Sequence, residues 1–167
     1  MSLLFYYMGD GEYVIILIIS ILWNYYFGIL ISTSTEKRAI LSLNILGNIF
    51  LLIYYKYSSF FLDIIGQSKS STNSNLALPL GISFFTFQGI SYVVDVYRNP
   101  INYQVRLTKI GLYIALFPQL IAGPIIKYHE LESYLQQRTV NLHKLSSGLL
   151  RFIKGLAKKV LIADQLV

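Results

Sequence analysis

Cysteine is absent from the chain, which rules out disulfides, thiolate metal sites such as zinc fingers and iron–sulfur clusters, and a cysteine nucleophile. Charge is scarce too: 13% of residues are charged, where a soluble domain has about 25%. Of the eight carboxylates, Asp63 and Asp164 stand alone, and Asp10 and Glu12, flanked by glycines, read as turn residues. Glu130 and Glu132, at i,i+2, point to different helix faces. No metal site is expected from such a set. The two histidines, His129 and His143, lie outside the apolar runs, so no general base is expected where water is scarce. The hydroxyls of Ser83, Thr86 and Ser91 therefore have no base to activate them, and no Ser–His–Asp device can be assembled. A P-loop, a dinucleotide glycine fingerprint and an HExxH pair are missing as well. No catalytic residue is expected in these 167 positions.

What is present is apolar. Hydrophobic residues make up 54% and aromatics 15%, with a mean hydropathy of +0.54, and a globule this small could not bury them all in water. Disorder is excluded, and an all-α, polytopic membrane protein is the reading. Four hydrophobic segments are expected, at about 13–34, 39–55, 76–95 and 107–126. No charge occurs between Glu12 and Glu36, and about 20 apolar residues suffice to cross a 30 Å hydrocarbon layer. Trp23, Tyr25 and Tyr26 lie inside this first run and are expected to pack against neighbouring helices. The second run is short and ends at Tyr54, Tyr55 and Tyr57, which suit an interface. Between the second and third runs, Gln67 to Asn75 forms a polar loop outside the bilayer.

The third and fourth runs are irregular. The third carries Pro79, Gly81, Ser83, Thr86, Gln88, Gly89 and Ser91; the fourth holds Pro118, Gln119, Gly123 and Pro124. Proline removes a backbone donor and clashes with the preceding turn. The freed groups need protein or water partners, so both segments are expected to be broken or re-entrant and to line a polar interior. Gln88 and Gln119 suit either interhelical contact or substrate orientation. Asp95 and Arg98, three apart, could pair at the membrane boundary or shape the entrance to a buried site.

From Lys127 onward basic residues dominate. On a helix over about 141–165, Lys144, Arg151, Lys154, Lys158 and Lys159 share one arc, and leucines, Phe152 and Ile153 fill the other. That basic amphipathic helix suits a membrane surface, with the lipid bilayer as partner, or the body of its own protein. Nucleic acid would suit its charge equally, but attachment to four hydrophobic runs sets that partner aside. If all four runs cross, Lys37, Arg38, Arg98, Arg106 and Lys109 share one side and the other nine basic residues the opposite, cytoplasmic one. A single re-entrant run reverses this parity.

Three blocks carry a resemblance: LPLGISFFTFQGISYVVDVYR (78–98), LFPQLIAGPIIKYHEL (116–131) and GLLRFIKGLAKKVLIAD (148–164). In this order they resemble the bacterial membrane-bound O-acyltransferases, and within them the alginate O-acetylation proteins. The D-alanyl transfer proteins of teichoic-acid modification are similar in the second block. The resemblance implies a multi-pass protein of the cell membrane that moves acetyl groups from cytoplasmic acetyl-CoA to exported or cell-envelope polysaccharide. It also implies an exported acetyltransferase partner, and a catalytic histidine in a later, membrane-embedded segment that has no counterpart here. The chain is thus expected to be an internal fragment that is inactive alone and binds no cofactor itself. Gln88, Asp95, Arg98, Gln119, Gly123 and Pro124 fall in the matching blocks, and the resemblance gives them tunnel-shaping or substrate-path roles.

Overall fold

The computed structural model describes residues 1–58, 78–100, 106–123, 126–131 and 141–165. Among them every regular element is helical, as the composition required. The chain divides into two units, Met1–Glu132 and Ser133–Val167.

In the first unit, α1 (Ser2–Asp10) and a single 3₁₀ turn (Gly11–Tyr13) lead into α2 (Val14–Thr33). The helix α3 (Lys37–Leu52) follows after a short turn and loosens into a π turn at Ile53–Tyr57. The third run gives α4 (Ile82–Arg98), and the fourth gives two shorter helices, α5 (Leu107–Ala115) and α6 (Phe117–Ala122). Two stretches, Ser2–Thr33 and Lys37–Tyr57, are long and apolar enough to cross a membrane. The first is not straight. Gly11 adopts φ 59°, a left-handed conformation open to glycine, and α1 folds back there. Met1, Ser2 and Leu3 consequently line a cleft with Ile18, Ile21 and Leu22, residues that a continuous helix would hold about 25 Å away.

α2 is apolar all round, so its buried stripe is set by residue size and polarity more than by hydrophobicity. Leu17, Ser20, Ile21, Asn24, Phe27, Gly28 and Ile31 are buried, a 3–4 spacing that suits a left-handed crossing. On α4, Ile82, Phe85, Gly89, Tyr92, Val93 and Val96 follow the same rhythm. The two helices meet at glycines. A Cβ on Gly28 would lie 2.6 Å from the Tyr92 hydroxyl, and one on Gly89 would collide with the Asn24 amide. Gly47 of α3 likewise receives the Trp23 ring. Of the aromatics expected to pack against neighbouring helices, Tyr25 is partly buried against the core, and Trp23 meets Gly47 of α3 while staying 39% exposed. Tyr26 is instead 60% exposed, because it points off the heptad stripe.

Asp10 fixes the start of α4. Its carboxylate accepts the Leu80 N–H at 2.7 Å, while the Tyr6 hydroxyl donates to the Leu80 carbonyl at 2.9 Å. The chain then turns at Gly81, φ 68°. The fourth run breaks at Leu116, which is extended (φ −64°, ψ 107°). Pro118 sits in the first turn of α6, where its missing donor costs nothing; the proline starts a helix here.

In the second unit, α7 (Leu142–Leu161) opens with Asn141, whose side chain accepts the His143 N–H at 3.3 Å. A 3₁₀ turn, Ala163–Gln165, follows.

Candidate functional site

The expected site residues Asp95 and Arg98 lie in the last turn of α4, at the end where α2 turns into α3. Asp95 is buried, and a carboxylate near a helix C-terminus opposes the helix dipole, so it needs donors from elsewhere. They come from the far end of the fourth run. The Tyr128 N–H donates to Asp95 Oδ2 at 3.2 Å, and His129 Nδ1 lies 3.2 Å from the same oxygen. The sequence suggested an Asp95–Arg98 pair; the partner is His129 instead, which is half exposed. Two further contacts hold this returning segment. The Tyr113 hydroxyl donates to the Ile126 carbonyl at 2.6 Å, and the Tyr128 ring packs edge-on against both Tyr92 and Tyr113.

Lys127 therefore stands beside Arg98. Asp95, Arg98, Asn99, Lys127 and His129 line a cleft of about 370 Å³. A second cleft, of about 440 Å³, is lined by Thr35, Glu36, Lys37, Arg38, Tyr97 and Arg98. The chain thus leaves α4 and comes back to the same end of it. Four complete crossings would put Lys127 opposite Arg98, and a single re-entrant run would put the two together; in the structure they line one cleft.

Gln88 is one heptad before Asp95 on α4. Its side chain is 1% exposed, and among the described residues neither its amide nitrogen nor its oxygen has a hydrogen-bond partner. Each orphaned group costs about 1–3 kcal/mol. Gln119 is also buried. Gly123 packs so tightly on it that an added Cβ would come within 2.6 Å of the Gln119 Cα, and its N–H donates to the Gln119 carbonyl at 2.9 Å. Gln119 lies in α6, whose neighbour Leu120 meets Gly81, so the structure does not bring it to Asp95 and Arg98. Pro124 lies outside the described residues. Lys144, Arg151, Lys154, Lys158 and Lys159 all lie on α7, where no residue is buried.

Sequence reasoning missed one polar centre. Asn24 on α2 meets Asn44 and Asn48 on α3, all three buried. Asn44 and Asn48 donate to Asn24 Oδ1 at 3.2 and 3.1 Å, and the Asn24 amide donates to the Ser20 carbonyl at 2.9 Å. The i,i+4 spacing of Asn44 and Asn48 within an apolar run was the available signal. Among the described residues no cluster of His, Asp and Glu could hold a metal ion.

Comparison with known proteins agrees with the resemblance. "Probable alginate O-acetylase AlgI" of Pseudomonas syringae is 34% identical over 99% of this chain and 34% of its own length. "Peptidoglycan O-acetyltransferase" of Helicobacter pylori is 33% identical over 98% of this chain and 37% of its own length. More distantly, "Teichoic acid D-alanyltransferase" of Bacillus subtilis is 30% identical over 50% of this chain and 24% of its own length. The chain spans about a third of the length of the first two relatives. No family model matches it, and no solved structure does. Two apolar helices of spanning length, in a chain related to these acyltransferases, make it a membrane protein. Matched along nearly its whole length to alginate O-acetylases, the chain belongs to the membrane-bound O-acyltransferase family.

Proposed function

We propose that this chain is part of a membrane O-acyltransferase that transfers acetyl groups to exported or cell-envelope polysaccharide, and that it does not carry the catalytic base. The observation that supports this most is the 34% identity to an alginate O-acetylase over 99% of the chain. The residues are compatible with it. The one histidine paired with a carboxylate, His129, sits at the end of the bundle, and Asp95, which orients it, also holds the returning segment. In this reading a histidine in another segment supplies the base, acetyl-CoA supplies the acetyl group, and an exported acetyltransferase takes it onward. Gln88, whose buried amide is unpaired, is the substrate-path residue with the strongest physical support. Asp95 and Arg98 shape an entrance, and Gln119 with Gly123 and Pro124 shape the path from the fourth run.

The chain in this reading is a multi-pass protein of the cell membrane. Three runs cross, and the fourth enters and returns, which agrees with Lys127 standing beside Arg98. That arrangement gathers all Lys and Arg except Lys56 and Lys69 on one side, the cytoplasmic one by the positive-inside bias. α7 suits a membrane surface, its lysines and Arg151 toward anionic headgroups.

The test is complementation in a strain lacking its own alginate O-acetylase. The chain alone should restore no acetyl ester to the polysaccharide; co-expressed with the remaining two thirds of a relative, it should restore it. Acetylation by the chain alone, or none from the pair when the intact relative works, would overturn the proposal. D-alanyl transfer is the second reading, favoured by the teichoic-acid relative, and would appear as D-alanine esters in the same assay run in a teichoic-acid background.

A further inference from the structure

The end of the bundle where α2 turns into α3 gathers cations that its carboxylates do not answer. Lys37, Arg38 and Arg98 line one cleft, and Arg98, Lys127 and His129 line the other. Arg98 is common to both, so the two clefts adjoin at its side chain and make up one polar groove region. Among the described residues two carboxylates face it. Glu36 is one; the other, Asp95, has an oxygen already engaged by the Tyr128 N–H and His129. Lys37, Arg38, Arg98 and Lys127 make no ion pair among the described residues. The first turn of α3 adds to the imbalance, with no acidic residue there and no side-chain cap on its free N–H groups,.

Like charges in one groove repel, and beside a low-dielectric layer water screens them less. An anion with several acceptor oxygens relieves that repulsion, and arginine meets it with a planar fork of donors. Two other clefts among the described residues are walled mainly by apolar side chains such as Trp23, Phe50 and Leu22, so the polar groove is a local feature. We propose that it is a phosphate-binding site at the membrane boundary, taking the phosphate of an anionic lipid headgroup or of a soluble phosphate compound. This proposal stands on the cation cluster and is independent of the acyl-transfer reading.

The experiment uses the full chain in two arms. In phosphatidylcholine nanodiscs, inorganic pyrophosphate is titrated by calorimetry; in detergent, native mass spectrometry compares retention of phosphatidylglycerol and phosphatidylcholine. Pyrophosphate binding identifies a soluble ligand, and selective retention of phosphatidylglycerol identifies a headgroup. Either should weaken about tenfold in Arg98→Gln/Lys127→Gln and persist in Lys56→Gln, at the opposite end of α3. The charge-keeping pair Arg98→Lys/Lys127→Arg, checked for helix content by circular dichroism, should retain binding if the glutamine variant misfolds. Binding in neither arm, or an equal loss in Lys56→Gln, would overturn the site.

Discussion

At the scale of single residues, the most consequential group is an amide. Asn24 accepts from both Asn44 and Asn48 while its own NH₂ donates to the Ser20 carbonyl. Replacing it with leucine would leave the Asn44 amide donor and the Asn48 side-chain oxygen unmet, while the Asn48 amide keeps its bonds to Asn44, at about 1–3 kcal/mol for each lost partner, although such bonds average only about 0.6 kcal/mol when present in a membrane. Asn24→Leu should therefore lower the midpoint of unfolding in mixed micelles by an amount equivalent to roughly 2 kcal/mol or more, and a change under about 0.5 kcal/mol would show that the network is dispensable. Asn24 was visible in the sequence as a polar exception in its run, but its partners were not. Which side chains meet across two helices depends on their register, and register is a property of the packed pair. For Gln88 the sequence left glue and substrate contact equally open; the absence of any partner weighs against glue.

At the scale of elements, the irregular runs yielded most to reading and also misled most. Helix was legible throughout, because apolar runs without charge have few alternatives in lipid. The place where the fourth run divides was not. Proline suggested the break, yet the extended residue is Leu116 and Pro118 begins the next helix. Pro118→Ala should consequently shift stability by less than about 1 kcal/mol in either direction; a larger loss in thermal unfolding would mean that the ring holds the division. The fold-back of α1 was equally hidden, since Gly11 is one glycine among eleven and its left-handed backbone leaves no trace in hydropathy.

At the scale of the whole molecule, sidedness is the property most open to measurement, and the missing cysteines make it so. Single replacements at Thr35, Lys56 and Lys127 would each introduce the chain's one thiol. In sealed vesicles, a membrane-impermeant maleimide should label positions 35 and 127 from one face and position 56 from the other. Labelling of 127 together with 56 would restore four complete crossings and undo the re-entrant fourth run. The distribution of charge suggested both topologies; the contact of His129 with Asp95 supports the proposed re-entrant one, because it ties two points 34 residues apart in sequence to one end of α4.

The contacts that join α2 to α3 and α4 are made by apolar side chains, amides, hydroxyls and glycines. None of these groups bears net charge, and a transmembrane voltage acts on charge, at about 2.3 kcal/mol per elementary charge per 100 mV. These helices should keep the same register whether the membrane is energised or not, leaving only the charged ends of the bundle to respond to the cell's electrical state.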